Sequence, residues 1–260
     1  MKILSVNAGS SSLKFQLYEM PEEKVLISGL MERIGVGNSF YTIKVNGEKI
    51  KKEVELNNHE EAFETLVKEL EENNVVESLD EIEGIGHRVV QGGDYFDKTV
   101  VIDDEVLAKI DELSSLAPLH NPAAVTGIKA AKDVFPNAVQ TAVFDTAFHQ
   151  TMPKENFLYA LPISWYTDLK VRRYGAHGTS HKFVSQRMNE ILKRDDTKII
   201  TCHIGNGASV SAVLNGKCVN TSMGLTPNAG LIMGTRCGDI DASIIPYVME
   251  KTNMSPKEID

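Results

Sequence analysis

Two short turns of small polar residues fix most of what this chain can fold into, because each follows a buried strand and opens an alternating one. In the first, Ile3, Leu4 and Val6 lead into Asn7-Ala8-Gly9-Ser10-Ser11-Ser12, after which Leu13, Phe15 and Leu17 alternate with Lys14 and Gln16. That two-residue period is the mark of a half-buried strand. In the second, the β-prone run 198–204 enters Gly205-Asn206-Gly207 and continues through 208–214. The recurrence predicts an internal duplication. Between the turns, 41–50 carries the hairpin signal Asn46-Gly47, and 59–73 sets Ala62, Phe63, Leu66, Val67 and Leu70 at helical spacing. Residues 84–90 read as a buried strand ending at Gln91-Gly92-Gly93. Asn121 before Pro122 is expected to cap a helix reaching Val134, and strand 138–144 delivers Asp145 at its carboxyl end. Past His149, a helix following Gly178-Thr179-Ser180 groups Phe183, Val184, Met188, Ile191 and Leu192 on one face, and Asn215-Gly216 turns a further hairpin. The alternation predicts an α/β chain of two domains, 1–147 and 148–260, with no linker.

Composition narrows the class. A chain of 260 residues can bury one large core or two ordinary ones. Lys plus Arg number 27 against 36 Asp plus Glu, a net charge of −9. This balance speaks against nucleic acid or an anionic membrane as partner while leaving room for a local site for a small anion. Cys202, Cys218 and Cys237 are odd in number and lack C-x-x-C spacing, so they signal neither a disulfide framework nor a thiolate metal site. The amino end holds too short an apolar stretch for a signal peptide, and no run approaches the ~18 residues of a spanning helix. A soluble, cytoplasmic protein is expected.

The residues that could carry chemistry cluster at the turns and strand ends. Turns such as 7–12 and 205–209 leave backbone N–H groups and hydroxyls available to phosphate oxygens, and they also suit plain hairpins. Neither is a Walker loop: Gly9 to Lys14 lacks the second glycine before lysine, and Gly205-Asn206-Gly207-Ala208-Ser209-Val210 lacks the third glycine of the dinucleotide fingerprint. Arg88, ending an apolar strand, and Arg236, between glycines, fit planar recognition of phosphate or carboxylate or, equally, a structural ion pair. Arg172 and Arg173 are expected on a solvated face. His177 and His181 are spaced to share a metal, but no HExxH glutamate accompanies them, and a histidine before a helix amino end can instead donate to an anion. His203 reads as a ligand or as a satisfied buried ring. Asp145 and Asp241 stand at a strand end and a turn, and no G-x-S-x-G supports a serine nucleophile. Together these groups suit phosphoryl transfer, where positioning and charge neutralisation dominate.

Seven segments, in order and spanning nearly the whole chain, resemble the acetate kinase family: NAGSSSLKF at 7–15, GHRVVQGG at 86–93, APLHNP at 117–122, FDTAFHQTMP at 144–153, RRYGAHGTSH at 172–181, CHIGNGASV at 202–210 and MGTRCGDID at 233–241. The resemblance implies duplicated actin-like ATPase (ribonuclease H-like) domains with mixed sheets flanked by helices. It implies ATP-dependent phosphorylation of acetate to acetyl phosphate, with Mg²⁺ or Mn²⁺, in a homodimer. Carried over by motif, Asn7 would hold the metal. Ser10, Ser12, Lys14, His203, Ile204, Gly205, Asn206 and Gly207 would bind nucleotide. Arg88, Asp145, His177 and Arg236 would be catalytic, and Arg88, Val90, Leu119, Ala176 and Pro227 would surround the carboxylate substrate. Ala176 stands where the family pattern has Phe, which predicts a looser acyl pocket and better tolerance of propionate or another short-chain carboxylate. Gln91 replaces a usual His, Thr226-Pro227 a usual Leu-Glu, and Ala242 a usual Pro. Family members also continue past the position of Asp260, so the second domain is expected to be incomplete and the chain to be a whole kinase or a catalytically incomplete part of one.

Overall fold

Five antiparallel strands open the chain, as the alternation after Asn7 and the Asn46-Gly47 turn require. In the computed structural model, which describes residues 1–259, the chain divides into two compact units, Met1–Gln150 and Thr151–Asp260. The first holds β1 (Lys2–Gly9), β2 (Ser12–Glu19), β3 (Lys24–Glu32), β4 (Phe40–Val45), β5 (Glu48–Glu53), β6 (Ile82–Val89), β7 (Val100–Val101) and β8 (Val139–Phe144) in one sheet of order β5-β4-β3-β2-β1-β6-β8-β7. β1, β6 and β8 run parallel, and the outer pairs are antiparallel. Parallel neighbours need crossovers. Helix α1 (His59–Glu72) lies between β1 and β6 in the chain, and α2 (Asp104–Glu112) and α3 (Asn121–Val134) lie between β6 and β8.

The core forms where the strand period meets the helix period. Leu4, Val6, Leu13, Phe15, Leu17, Ile27 and Ile43 face Ala62, Phe63, Leu66 and Leu70 of α1, all nearly inaccessible to solvent. A second cluster joins Val89, Ala142 and Phe144 to Ala124, Val125 and Ile128 of α3, with Phe96 stacked on Phe144 at 4.3 Å. Asn46 and Gly47 both have positive φ, 52° and 81°, the backbone of a type I′ hairpin. Buried among these apolar side chains, Glu69 is held by Lys52 at 2.8 Å, by Asn73 at 3.0 Å and by the Tyr41 hydroxyl. Burial pushes its pKa up, but these partners outweigh burial and leave it lowered.

The second unit contains α4 (Lys154–Phe157), α5 (Ile163–Leu169), α6 (Gly178–Leu192), α7 (Ile244–Thr252) and α8 (Pro256–Ile259), and a three-stranded antiparallel sheet of order β11-β10-β9. Its strands are β9 (Lys198–Ile204), β10 (Ala208–Leu214) and β11 (Lys217–Thr221). Asn215 and Gly216, with φ of 50° and 76°, repeat the turn of the first unit. The order β3-β2-β1 and the order β11-β10-β9 are the same meander, each with its polar turn between the last two strands. The sequence-level duplication is thus present as topology.

Three expectations need correction. Asn121 is not the cap of α3; His120 occupies that position and Asn121 lies inside the helix, fully buried. Its amide accepts from Gln91 N (3.1 Å) and donates to Gln91 O (3.0 Å) and Ile110 O (3.1 Å), so it ties the turn after β6 to two helices instead of finishing one. The apolar stripe of α6 faces solvent, with Phe183 69% and Ile191 62% exposed, while Gly178, His181 and Ser185 form the buried face. Arg172 and Arg173 are not solvated: Arg172 is buried with its guanidinium 3.8 Å above the Phe157 ring, and Arg173 Nη1 donates to the carbonyls of Thr221, Ser222 and Met223.

Two stability measurements follow from buried polar groups. Replacing Asn121 by Ala leaves two buried carbonyls and an N–H without partners and should lower unfolding free energy by about 3 kcal/mol. Thr126→Ala, on an exposed hydroxyl of the same helix, should change it by less than about 0.5 kcal/mol. His87, 3% exposed on β6 and bonded through Nε2 to Gln140 at 2.6 Å, has its pKa pushed down to about 4 by burial, against the Gln140 contact. Because the folded value lies below the ordinary 6.5, its contribution is complete above pH 6.5 and is lost as pH falls towards 4, by about 3 kcal/mol in all. Urea midpoints of the native protein should therefore drop more steeply between pH 7 and 4.5 than those of His87→Gln.

Candidate functional site

In the first unit the period of β6 decides which side chains meet. Ile85, His87 and Val89 are buried on one face, so Arg88 emerges on the other, at the carboxyl ends of the parallel strands. Asp145 follows β8, and its N–H donates to Val89 O at 2.9 Å, which brings the carboxylate alongside Arg88. Arg88 Nε donates to both Asp145 oxygens (3.1 and 3.2 Å), Nη2 to Oδ2 (2.6 Å) and Nη1 to Asn7 Oδ1 (3.3 Å). Burial works against the Arg88 charge, but the Asp145 carboxylate overcomes it and raises the guanidinium pKa above its ordinary value. Asp145 is 2% exposed, and removing Arg88 would strand a buried charge. The side chains Asn7, Arg88 and Asp145 thus come together through three of the five guanidinium N–H groups of Arg88, which leaves two outside these bonds.

The turn between β1 and β2 lies at the same strand end. Ser10 and Lys14 are exposed and Ser12 is half-buried. Helix α3 crosses close behind: a Cβ on Gly127 would sit 2.8 Å from the Ala8 methyl, so only glycine allows this approach. Gln91, in place of the family's usual histidine, is buried and accepts Gly93 N at 2.9 Å, bracing the Gly92-Gly93 turn. Val90 is half-buried and Leu119 is 75% exposed.

In the second unit, His177 occupies the cap of α6 with left-handed backbone (φ 59°, ψ 19°), a conformation non-glycine residues adopt at some cost and which surrounding structure must hold. Its Nδ1 lies 2.8 Å from Ser209 Oγ, and its ring stacks on His203 at 4.0 Å. His203 is fixed in turn by Ser180 Oγ at 2.9 Å. The turn closes through Gly205 N to Gly207 O (3.0 Å), with Ile204, Gly205 and Asn206 exposed. The loop bearing Arg236 is laced to that turn, Gly234 N donating to Asn206 O at 3.1 Å. Arg236 Nη1 donates to Pro227 O at 3.0 Å, and the altered segment 226–230 is pinned to 233–239 by Gly230 N on Asp239 Oδ1 (2.7 Å). The space above Gly207 is the meeting point: a Cβ there would lie 3.1 Å from Arg236 Nη1 and 3.6 Å from His177 Nε2.

Several features differ from expectation or were not foreseen. Ala176 is buried, 3% exposed. Asp241 accepts Ser243 N at 2.9 Å in the turn before α7. Among the described residues no three His, Cys, Asp or Glu side chains group as a metal site. His181 is instead buried between Thr201 Oγ1 (2.7 Å) and Ser209 Oγ (2.8 Å). Ser180 and Ser209 lie inside motifs quoted above, but Thr201, in the middle of an apolar strand, gave no signal at all. Among the described residues no helix is long and apolar enough to cross a membrane.

Comparison with known proteins reaches across both units. The chain matches the Acetokinase family over residues 2–260. It is 55% identical over 260 residues to the acetate kinase of Macrococcus caseolyticus, covering 99% of this chain and 65% of that relative, and 57% identical to the acetate kinase of Bacillus mycoides, covering 99% and 66%. Among solved structures it superposes on Porphyromonas gingivalis acetate kinase with a TM-score of 0.93 at 45% identity, covering 98% of this chain and 65% of that one. It superposes equally on a propionate kinase from Francisella tularensis, with a TM-score of 0.94 at 46% identity, covering 99% and 66%. The chain therefore spans about 65% of the length of the curated relatives it matches. Its α/β architecture, a mixed sheet flanked by helices, is the actin-like ATPase arrangement of these kinases. With the match running through both turns, both arginines and both units, the chain belongs to the acetokinase family.

Proposed function

We propose that this chain carries the carboxylate- and phosphate-handling groups of an ATP-dependent acetate kinase. An acetate oxygen attacks the γ-phosphorus of ATP, the new P–O bond forms as the bond to the β-phosphate oxygen breaks, and acetyl phosphate and ADP result; the reverse reaction uses the same groups. The observation that carries this reading is the space above Gly207, bordered by the Arg236 guanidinium and the His177 ring, where a compact anion meets one fixed positive charge and a ring donor. Backbone N–H groups of the adjacent turn add donors that cost no charge.

In the first unit, Asp145 holds Arg88 by a fork of three contacts and so aims the remaining guanidinium donors; its part in this reading is to orient Arg88, which then takes the substrate carboxylate. Val90 and Leu119 of this unit would lie against the short acyl chain. Ser10, Ser12 and Lys14 offer hydroxyls and a cation to nucleotide phosphates. Mg²⁺ or Mn²⁺ fits this donor set as an ion delivered with the phosphates: Asn7 Oδ1 is a neutral oxygen already beside Arg88, and the described residues hold no carboxylate cluster that would cage a bare ion. When bound, the metal neutralises phosphate charge. A homodimer and a cytoplasmic location go with the reading, and the Cys202, Cys218 and Cys237 thiols form no disulfide, as a reducing compartment favours. Propionate or another short-chain carboxylate is the alternative acceptor, since the fold superposes on a solved propionate kinase as well as on a solved acetate kinase.

Acyl phosphate captured as hydroxamate, with ATP, Mg²⁺ and either acetate or propionate, tests the reading on this chain. Product with acetate in excess over propionate is expected; a folded chain that yields neither product is the catalytically incomplete alternative. Arg88→Lys keeps the charge opposite Asp145 but loses the fork, and should cut kcat/KM by about 10²-fold with little change in thermal stability. Gly207→Ala should weaken binding of inorganic phosphate or ADP by about tenfold, because the added methyl takes the space beside Arg236, while the melting temperature moves little.

A further inference from the structure

The buried side of α6 is polar. His181 (1% exposed), Ser209 (0%) and Thr201 (3%) form an unbroken chain: Thr201 Oγ1 to His181 Nδ1 at 2.7 Å, His181 Nε2 to Ser209 Oγ at 2.8 Å, and Ser209 Oγ to His177 Nδ1 at 2.8 Å. Each link has one proton, so its direction can be followed from the end that is fixed. That end is the Ser211 carbonyl, which can only accept, and Thr201 Oγ1 donates to it at 3.4 Å. Thr201 oxygen then accepts from His181 Nδ1–H. The His181 ring, neutral and protonated on Nδ1, offers Nε2 as an acceptor, and the Ser209 hydroxyl donates to it. Ser209 oxygen is left to accept from His177, which must therefore carry its proton on Nδ1. The opposite order also fits between the rings, but it turns the Thr201 hydroxyl inward and forfeits its bond to the Ser211 carbonyl.

We propose that Thr201 is a positioning residue which, acting through His181 and Ser209, holds the neutral His177 ring in its Nδ1–H form. The consequence for chemistry rests on the phosphate-handling reading of His177. Nε2, the nitrogen nearer Gly207, becomes a donor only when the ring takes a second proton, so His177 meets a phosphoryl oxygen as an imidazolium and gives a charge-assisted bond. Facing the ring within this unit are Ser209 from β10, His203 stacked from β9 at 4.0 Å, and, among others, the Arg236 guanidinium across the space above Gly207. Arg236 opposes a second positive charge on the ring. Proton uptake at His177 is thereby tied to arrival of the anion.

The proton's position is read directly from long-range ¹H–¹⁵N correlations of the histidine rings, recorded on this chain without substrate at a pH where His177 is neutral. The native protein should show His177 protonated on Nδ1. In Thr201→Val, His181 loses the partner of Nδ1 and donates from Nε2 instead; Ser209 reverses, and the two ring-nitrogen shifts of His177 should interchange. Thr201→Ser restores the hydroxyl and should restore the native pattern. In Ser209→Ala the link is cut, and adding Thr201→Val should no longer move the His177 shifts. A native His177 protonated on Nε2, or a folded Thr201→Val protein whose His177 shifts do not change, overturns the proposal. The native spectrum alone decides the first point if the valine variant does not fold. The readout needs no turnover, so a failed hydroxamate assay and a failed relay are separate results.

Discussion

A polar group removed from water must find a partner, and in this chain that requirement, more than apolar packing, sets the site residues in place. Asn121 is the clearest instance. Fully buried, it bonds both backbone groups of Gln91 and the Ile110 carbonyl of α2, so the turn after β6 has one conformation and the strand end that presents Arg88 is fixed. In the second unit, the seam of Thr201, His181 and Ser209 does the same for the helix that His177 caps. An apolar seam would bury the helix as well, but it would leave the rotation of the His177 ring undetermined. Hydrogen bonds are directional, and the left-handed backbone at His177 needs a determined neighbour to persist.

The two units use one meander for different ends. In the first, β1 is flanked by β2 and by the parallel strand β6, so the turn at 9–12 stands beside a strand end that supplies Arg88 and, through β8, Asp145. In the second, β9 pairs only with β10 among the described residues, and the groups beside the turn at 205–207 come from a helix cap and a loop. Ile200 and Ile204 of β9 and the stripe of α6 are correspondingly open to solvent. The helix pattern in the sequence is real in its period, yet the side that packs on the sheet is the one carrying His181 and Ser185.

Much of the fold was legible because period and turn chemistry are local. The strands at 84–90 and 138–144, the helices at 59–73 and 121–134, and both Asn-Gly hairpins fall within two residues of the observed elements. What local pattern cannot report is which partner a polar side chain will meet. Asn121 before Pro122 looks like a cap, and only the approach of Gln91 turns it into a cross-link. Adjacent arginines look solvated until Phe157 and the carbonyls of 221–223 close around them. Thr201 is indistinguishable in sequence from any β-branched strand residue. The substitution at Ala176 reads as a cavity, but a cavity's size depends on how far the surroundings relax.

The two arginines show why a motif alone underdetermines chemistry. Both were open to reading as anion ligands or as structural ion pairs. Arg88 is an ion pair in the structure: its pairing with buried Asp145 cancels most of its field, so at long range it attracts an anion weakly, and what it offers at contact is oriented N–H groups. Arg236 is held by the Pro227 carbonyl, a dipole without net charge, so its positive charge is not cancelled by that support. A planar, singly charged carboxylate is suited by the first arrangement, where geometry is the selective element. A compact, multiply charged phosphate is suited by the second, where net charge is. Identical side chains thus present different fields according to whether their support is an ion or a dipole.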